Sequence, residues 1–277
     1  MRIIIADGEK SISKTVRSMF PLVDEGMLRR AFSRKDFRVN KKREGRDVTL
    51  NKGDELAVYI DDRYLLPAPE IIFIDENVLI VNKPYGVETE AYGQNLSLNL
   101  ERQVIPVHRL DATTTGLLVF AFNEEAETEL LSAFARHDVK KTYHCIVKGM
   151  MEKDGGRLVH YLKKDAKNAF VTAHDSPIKD GLTAILSYKT LETDDEKSLL
   201  EITLETGRTH QIRVQLMHIG HPVLGDDKYG DRDFNRASPG RRLRLCSCAL
   251  EFFFGEGKLK YLGGKRFEIA PPFGEVT

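Results

Sequence analysis

Residues 107–122 read VHRLDATTTGLLVFAF, a polar turn followed by an uninterrupted apolar run. The apolar part, residues 116–122, is typical of a β-strand that is buried in a core. Asp111 lies in the polar turn just before this strand and is therefore held at the edge of the core. An aspartate in such a turn usually only shapes the chain, but the position also suits a reactive carboxylate.

The sequence on either side of this stretch alternates strands and helices. Four further apolar runs predict strands: residues 71–74, 78–81, 141–147 and 199–206. Asn123 can cap a helix whose first turn is acidic, which the positive end of a helix dipole favours. A second helix is predicted over residues 211–218, because Gly220 and Pro222 would stop it there.

A basic segment, residues 28–52, precedes this region. It holds ten lysines or arginines against three acids, a local net charge of +7 in a chain whose 42 basic and 42 acidic residues balance. Residues 27–32 carry apolar side chains at helical spacing, and residues 37–40 and 55–60 are strand-like. Such a small unit with cations outside can follow a phosphate backbone. The alternative is a solvated surface with a chance basic run.

The motif Pro67-Ala68-Pro69 follows the basic unit and is expected to form a stiff linker, because proline fixes φ and removes a donor. We therefore predict two domains, residues 1–66 and residues 67–277.

The composition of the 277-residue chain, with 41% hydrophobic and 30% charged residues, is typical of a globular protein. Its apolar runs are far shorter than the roughly 18–20 residues of a membrane span. The first residues lack a signal-peptide pattern, and three cysteines argue against a disulfide framework. We expect a cytoplasmic protein that does not associate with membranes.

Two more places combine polar side chains with apolar surroundings. Residues 206–213, Thr-Gly-Arg-Thr-His-Gln-Ile-Arg, form a glycine turn that opens a helix, and His210 and Arg213 lie on neighbouring positions of one face. Residues 141–143, Lys-Thr-Tyr, begin a predicted strand. The ordinary alternatives are a polar helix N-terminus in the first case and a packed Tyr143 in the second.

Possible metal ligands are His210, His218, His221, Cys246 and Cys248. They lack the CxxC and HExxH spacings of common metal sites, so we predict no metal. A metal-dependent hydrolase that uses these side chains is kept as an alternative. The nucleotide-binding motifs GxGxxG and GxxxxGK[ST] and the GxSxG elbow are absent from the sequence.

Together, four stretches resemble the motifs of the RluA-like family of RNA pseudouridine synthases, in the family's order. They are residues 80–87 (IVNKPYGV), 108–118 (HRLDATTTGLL), 141–143 (KTY) and 206–214 (TGRTHQIRV), the last followed by GHP at 220–222 and GDDKYG at 225–230. The basic first unit resembles, more loosely, a ribosomal-protein-S-four-like RNA-binding domain. Five positions depart from the family's usual residues: Ala112, Thr113, Phe122, Gln215 and Cys246.

The resemblance implies an α+β pseudouridine synthase fold, with a mixed, largely antiparallel central sheet, flanking helices and loops around an active-site cleft. It also implies a small N-terminal α/β RNA-binding domain. The implied reaction isomerises uridine in structured RNA, with ribosomal RNA favoured over transfer RNA. No atoms are gained or lost, so no cofactor is expected. The alternative is a catalytically silent RNA-binding or assembly factor on the same fold.

The same resemblance implies which residues act. Asp111, Tyr143 and Arg213 are the expected catalytic residues, with Arg213 paired to Asp111 and Tyr143 facing a flipped base. The expected substrate-binding residues are His108, Arg109, Lys83, Arg208, His210 and Ile212. The expected RNA-binding residues of the first unit are Arg29, Arg30, Arg34, Lys35 and Arg38. We expect a monomer whose partner is RNA.

Overall fold

The computed structural model describes residues 1–165, 170–236 and 242–274, apart from the side chain of Arg63. The chain divides into two compact units. Unit one comprises Met1–Glu70 and Glu90–Val104, and unit two comprises Ile71–Thr89 and Ile105–Thr277. The predicted domains, residues 1–66 and 67–277, stay a prediction.

Unit one contains a four-stranded antiparallel sheet in the order β1-β6-β3-β4 and a two-stranded sheet of β2 and β5. Its elements are β1 (Arg2–Ile5), β2 (Lys10–Ser11), α1 (Ile12–Met19), α2 (Glu25–Arg34), β3 (Phe37–Val39), β4 (Lys42–Glu44), β5 (Thr49–Leu50), β6 (Glu55–Val58) and most of α3 (Thr89–Leu100). Asp24 caps α2 by accepting a hydrogen bond from the Met27 backbone N–H at 2.7 Å. Leu28 and Ala31 then point into the core, as their helical spacing predicts.

Unit two is built on an eleven-stranded sheet whose main path runs β13-β12-β14-β15-β11-β16-β10-β8-β7. Its elements are β7 (Glu70–Ile74), β8 (Val78–Lys83), β9 (Ile105–Pro106), β10 (Thr115–Ala121), α4 (Glu124–Arg136), β11 (Val139–Lys148), β12 (Gly155–Asp165), β13 (Phe170–His174), β14 (Leu182–Thr193), β15 (Lys197–Leu204), α5 (Gln211–His218), α6 (Arg232–Arg236), β16 (Leu245–Phe252) and β17 (Arg266–Glu268). Among the described strands, only β10 and β16 pair in parallel. This sheet confirms the predicted mixed, largely antiparallel arrangement.

The apolar run predicted as a strand over residues 116–122 forms β10, Thr115–Ala121, which is buried. Its side chains are buried against β8 and α4. Asn123 caps α4, because its Oδ1 accepts a hydrogen bond from the Ala126 N–H at 2.9 Å. The strand and the helix cap therefore follow the sequence prediction.

Gly116 allows β10 to approach β16 very closely. It adopts φ +110°, and a Cβ at this position would lie 2.3 Å from the carbonyl oxygen of Ser247. Only glycine fits such a contact without displacing the backbone. The close approach fixes the beginning of the strand, five residues after Asp111.

The strand predicted over residues 199–206 ends earlier, because β15 stops at Leu204. The hydroxyl of Thr206 accepts a hydrogen bond from the Ile185 N–H at 2.8 Å and donates to Oε1 of Gln211 at 2.8 Å. These bonds turn the chain toward α5.

No helix among the described residues has both the length and the apolar character of a membrane span.

Candidate active site

A cavity of about 390 Å³ opens in unit two, within the size range of small-ligand pockets. It is lined by the turn that carries Asp111, the β11 face that carries Tyr143 and the loop that leads into α5, together with the end of α4 and single leucines of β15 and β16. The cavity therefore collects three of the four stretches that the sequence analysis singled out.

Asp111 and Arg213 meet in this cavity although 102 residues separate them in the sequence. Nη1 of Arg213 donates to Oδ2 of Asp111 at 3.0 Å. The same guanidinium donates through Nε and Nη2 to the two carboxylate oxygens of Asp226, at 2.7 and 2.8 Å. One arginine is thus shared by two carboxylates.

This shared pairing keeps Arg213 and Asp226 charged. Burial opposes the charge on Arg213, but the hydrogen bonds and charges of Asp226 and Asp111 outweigh it and raise the pKa of Arg213. Burial would also raise the pKa of Asp226, but Arg213 and two backbone N–H donors lower it instead. A bidentate arginine of this kind has little freedom to turn, so it fixes one oxygen of Asp111.

Asp226 belongs to this charge cluster but is not among the site residues expected from the sequence. It is almost fully buried, and its Oδ1 accepts hydrogen bonds from the N–H groups of Lys228 and Tyr229 at 2.9 and 3.0 Å. The GDDKYG stretch was the available signal, but nothing in the sequence connects Asp226 with Arg213. We interpret Asp226 as the residue that positions Arg213.

His210 lies beside the ion pair in a left-handed backbone conformation, φ +55°. The Val171 N–H donates to the hydroxyl of Tyr229, so that hydroxyl is free to donate to Nδ1 of His210, 2.8 Å away. The neutral ring then carries its proton on Nε2, which lies 3.9 Å from Oδ2 of Asp111. Burial lowers the pKa of His210, and the charge of Asp111 partly offsets this.

Tyr143 and Ile212 form apolar surface in the cavity, and both are buried. Burial raises the pKa of Tyr143, so the phenol keeps its proton at neutral pH. The side chain is therefore suited to pack against a planar nucleobase rather than to accept a proton.

The other expected substrate-binding residues differ in whether their side chains are buried and hydrogen-bonded or exposed in the cavity. His108 accepts a hydrogen bond from the Val119 N–H at 3.0 Å, and burial together with nearby Lys141 lowers its pKa to about 3. It forms a neutral part of the wall. Arg109 is exposed at the cavity, and Arg208 lines it while its Nε donates to the carbonyl of Thr183 at 3.0 Å.

Lys83 does not line the cavity, in contrast to the substrate-binding role expected for it. It is fully buried, and its ammonium donates to the carbonyls of Pro84, Val87 and Ala112 at 3.1, 2.9 and 3.2 Å. Ala112 follows Asp111 directly. Lys83 therefore holds the turn that carries Asp111 from behind, and the geometry supports a positioning role.

We expect the buried charge of Lys83 to make stability depend on pH. Burial lowers its pKa to about 8, with the charge of Asp111 acting in the opposite direction. An unfolded lysine titrates near about 10.4, so the unfolded state binds more protons between these values and stability rises with pH. The free energy of unfolding of the parent, minus that of Lys83→Met, should rise by up to about 3 kcal/mol from pH 7.5 to 10.5. Urea unfolding at a series of pH values measures this difference. Exposed Lys140 offers the control, since Lys140→Met should show no such rise; a flat difference for Lys83→Met would contradict the assignment.

Within the described residues, the candidate metal ligands are scattered, except for Cys246 and Cys248, which are neighbours on β16. His218 lies with His160 and Asp175, whose Oδ1 is 2.9 Å from Nε2 of His218 and 3.6 Å from Nε2 of His160. However, Nε2 of Gln215 donates to Nδ1 of His160 at 3.1 Å, which puts the proton of that neutral ring on its other nitrogen. His160 therefore presents an N–H to Asp175 rather than a lone pair, and the cluster fits a hydrogen-bonded group around Asp175 better than a metal site.

In unit one, the expected RNA-binding side chains lie on the outside. Arg29, Arg30, Arg34 and Lys35 are exposed, whereas Arg38 is half-buried, with its guanidinium 5.0 Å from the centre of the Tyr59 ring. The described residues thus provide a basic surface, and its likeness to a ribosomal-protein-S-four-like domain stays a prediction.

Comparison with known proteins identifies the class to which this fold and site belong. The model of a family described as RNA pseudouridylate synthase matches residues 77–218. A ribosomal large subunit pseudouridine synthase C of Rickettsia conorii is 30% identical, over 90% of this chain and 92% of that protein. A tRNA pseudouridine synthase C of Vibrio parahaemolyticus is 33% identical, over 60% of this chain and 76% of that protein.

A solved structure, human RNA Pseudouridylate Synthase Domain Containing 1, shares the fold with a TM-score of 0.63, at 23% identity over 74% of this chain and 84% of that one. The chain belongs to the RNA pseudouridylate synthase family. It is an enzyme that isomerises uridine to pseudouridine in RNA. The family expected from the four motifs is confirmed.

Proposed function

We propose that Asp111 is the reacting carboxylate and that Arg213 is its fixed counter-ion. The observation that carries this proposal is the guanidinium that Asp226 holds in a bidentate pair and presents to Asp111 at 3.0 Å. Oδ2 of Asp111 takes this contact, while Oδ1 has no hydrogen-bond partner among the described residues. One oxygen is thus restrained and the other is available to a substrate.

The chemistry needs only such an oxygen. The bond between uracil N1 and ribose C1′ breaks, the base turns, a bond forms between C5 and C1′, and the base loses a proton from C5 and gains one on N1. Attack on C1′, attack on the base and removal of a ribose proton all require a charged oxygen at this place. The role of Asp111 therefore does not depend on which of these steps it performs.

The target uridine must leave its stack to reach Asp111, which costs a few kcal/mol. Tyr143 and Ile212 offer apolar surface for the extruded base, and Arg109, exposed at the cavity, can occupy the space that the base leaves. Loops and bulges make extrusion easier, because their bases are already unstacked. We infer a structured RNA with an exposed uridine as the substrate.

Ribosomal RNA is the favoured substrate. The Rickettsia relative, which is named for the large ribosomal subunit, aligns with 90% of this chain, whereas the Vibrio relative named for tRNA aligns with 60%. Mapping pseudouridine in total RNA with and without the gene tests the proposal. The loss of one or more ribosomal pseudouridines is expected. Loss only in transfer RNA would contradict the choice of substrate, and no loss at all would favour the silent RNA-binding factor.

We infer that the basic surface of residues 28–52 binds RNA phosphates, in a monomer acting in the cytoplasm. The triple substitution Arg29→Gln, Arg30→Gln and Arg34→Gln should then weaken RNA binding at low salt and flatten its salt dependence. The slope of log affinity against log salt should fall by roughly 0.7–0.9 for each phosphate that the variant no longer neutralises. Filter binding of ribosomal RNA fragments over a sodium chloride series measures it.

The control is Arg266→Gln, because Arg266 is already paired with Glu268 at 3.0 Å and is less available to phosphates. Its slope should match that of the parent. If the triple substitution leaves the slope unchanged, the basic surface is only solvated, and the inference for this unit is wrong.

A further inference from the structure

Lys141 is a cation on the wall of the cavity that the mechanism proposed above does not use. Its side chain is half-buried, and within the described part of the chain it has no hydrogen bond and no ion pair. Its ammonium nitrogen lies 5.7 Å from the centre of the Phe134 ring. On another side, a Cβ at Gly207 would be 3.9 Å from the same nitrogen, so the ammonium lies between β11 and the loop that leads to α5.

The other three cationic side chains that line the cavity are either hydrogen-bonded to the protein or solvated by water. Arg213 is held by two carboxylates, and Arg208 donates to a backbone carbonyl. Arg109 is exposed, so water solvates its charge. Lys141 differs from these three because it is partly shielded from water and no acceptor takes the place of that water.

A half-buried ammonium without an acceptor is costly, since its hydration is reduced and not replaced. Consistent with this, burial lowers the pKa of Lys141, and no acidic group opposes the shift. An anion that enters the cavity would supply the missing partner. RNA carries one negative charge for each nucleotide, so the substrate itself brings such an anion.

The position of Lys141 suits this anion. Lys141 and Tyr143 are two residues apart on β11 and line the same cavity, so their side chains leave one face of the strand about 7 Å apart. That distance is on the scale of a single nucleotide. We propose that Lys141 binds a backbone phosphate of the target nucleotide while its base lies against Tyr143, an inference that rests on the proposed function of the cavity.

A neutral acceptor, such as a carbonyl oxygen of uracil, is the competing partner for this ammonium. The two partners are distinguished by salt, because only contact with a phosphate releases counter-ions from the RNA. The conservative variant Lys141→Met removes the charge and keeps the length of the side chain, and Lys141→Arg keeps the charge. Lys140→Met is the matched control, since Lys140 is exposed and does not line the cavity.

The first test measures binding of a twelve-nucleotide oligouridylate over a sodium chloride series. For Lys141→Met we expect roughly tenfold weaker binding at low salt and a slope of log affinity against log salt lower by about 0.7, the value for one phosphate of a single strand. Lys141→Arg should keep most of the parent slope, and Lys140→Met should change it much less than Lys141→Met does. A Lys141→Met slope equal to that of the parent, or no binding of the oligouridylate by the parent, would overturn the proposal.

The second test follows acetylation of Lys141 and Lys140 by acetic anhydride, using mass spectrometry of the peptide that contains both. Saturating oligouridylate should protect Lys141 and leave Lys140 reactive. The same protection is expected in Asp111→Asn, because phosphate binding does not need the reacting carboxylate. The test of phosphate binding by Lys141 is thus independent of the test of the role of Asp111. Unchanged acetylation of Lys141 in the bound parent would show that no phosphate reaches it.

Discussion

Asp111→Asn should abolish pseudouridine formation, with a loss of more than about 10³-fold, and leave RNA affinity close to that of the parent. Asparagine has nearly the same shape as aspartate, but its neutral amide neither attacks carbon nor removes a proton. Arg213 keeps its two hydrogen bonds to Asp226 in this variant, so the cavity should keep its form. The isomerisation replaces the hydrogen on uracil C5, and release of tritium from RNA labelled at that position therefore measures the rate.

The matched control is Asp233→Asn, which also removes a carboxylate paired with an arginine, here Arg236 at 2.8 Å on the surface. This control should release tritium at the parental rate. Release by Asp111→Asn at a parental rate would remove Asp111 from the reaction. A loss of RNA affinity parallel to the loss of rate would instead assign Asp111 to binding.

Arg213→Ala should lose activity and also destabilise the fold by about 3–5 kcal/mol, because the buried carboxylate of Asp226 and the half-buried carboxylate of Asp111 lose their shared counter-ion. Some RNA binding should survive, since the exposed basic residues of unit one are untouched. Arg213→Lys keeps a charge, but a single ammonium cannot reproduce three directed hydrogen bonds to two carboxylates. We expect this variant to fold and to be slower by at least about 10²-fold. Chemical denaturation and tritium release measure the two effects separately.

A double substitution separates the structural effect from the catalytic one. Asp226→Ala in the Arg213→Ala background removes one of the two unpaired carboxylates, so the double variant should be more stable than the sum of the single losses predicts. Activity should stay lost, because Asp111 still lacks its partner. Turnover of Arg213→Ala at the parental rate would show that the guanidinium does not serve the reaction.

The elements that the sequence predicts well are those whose signals are local. The apolar run before Asn123 predicts β10 to within one residue at each end, and the capping side chain of Asn123 predicts where α4 begins. The stop signals after His218, Gly220 and Pro222, predict where α5 ends. In each case the residues that decide the element lie inside or next to it.

The elements that escaped prediction depend on distant partners. β12 (Gly155–Asp165) is mostly exposed or half-buried, and pairing with its neighbours rather than an apolar pattern makes it a strand. α3 (Thr89–Leu100) contains one glycine and two asparagines, which are poor helix formers. The composition of neither segment predicts its secondary structure.

The site shows the same division. The motifs single out Asp111, Tyr143 and Arg213, and the fold brings all three to one cavity. The motifs do not reveal that Asp226 holds Arg213, since that contact is a property of the folded chain. They also suggest a substrate contact for Lys83, whose ammonium in fact binds three carbonyls behind the turn. The motif predicts a lysine at position 83, but only the folded structure shows which atoms its ammonium binds.

The separation of 102 residues between Asp111 and Arg213 has a consequence for how the enzyme is made. A ribosome synthesising this chain completes the basic surface and the turn with Asp111 long before it adds the arginine and then Asp226. With the roles proposed above for the basic surface, Asp111 and Arg213, an unfinished chain would hold RNA but would not modify it. Premature termination before residue 226 should yield an inert competitor for the substrate rather than a weak enzyme.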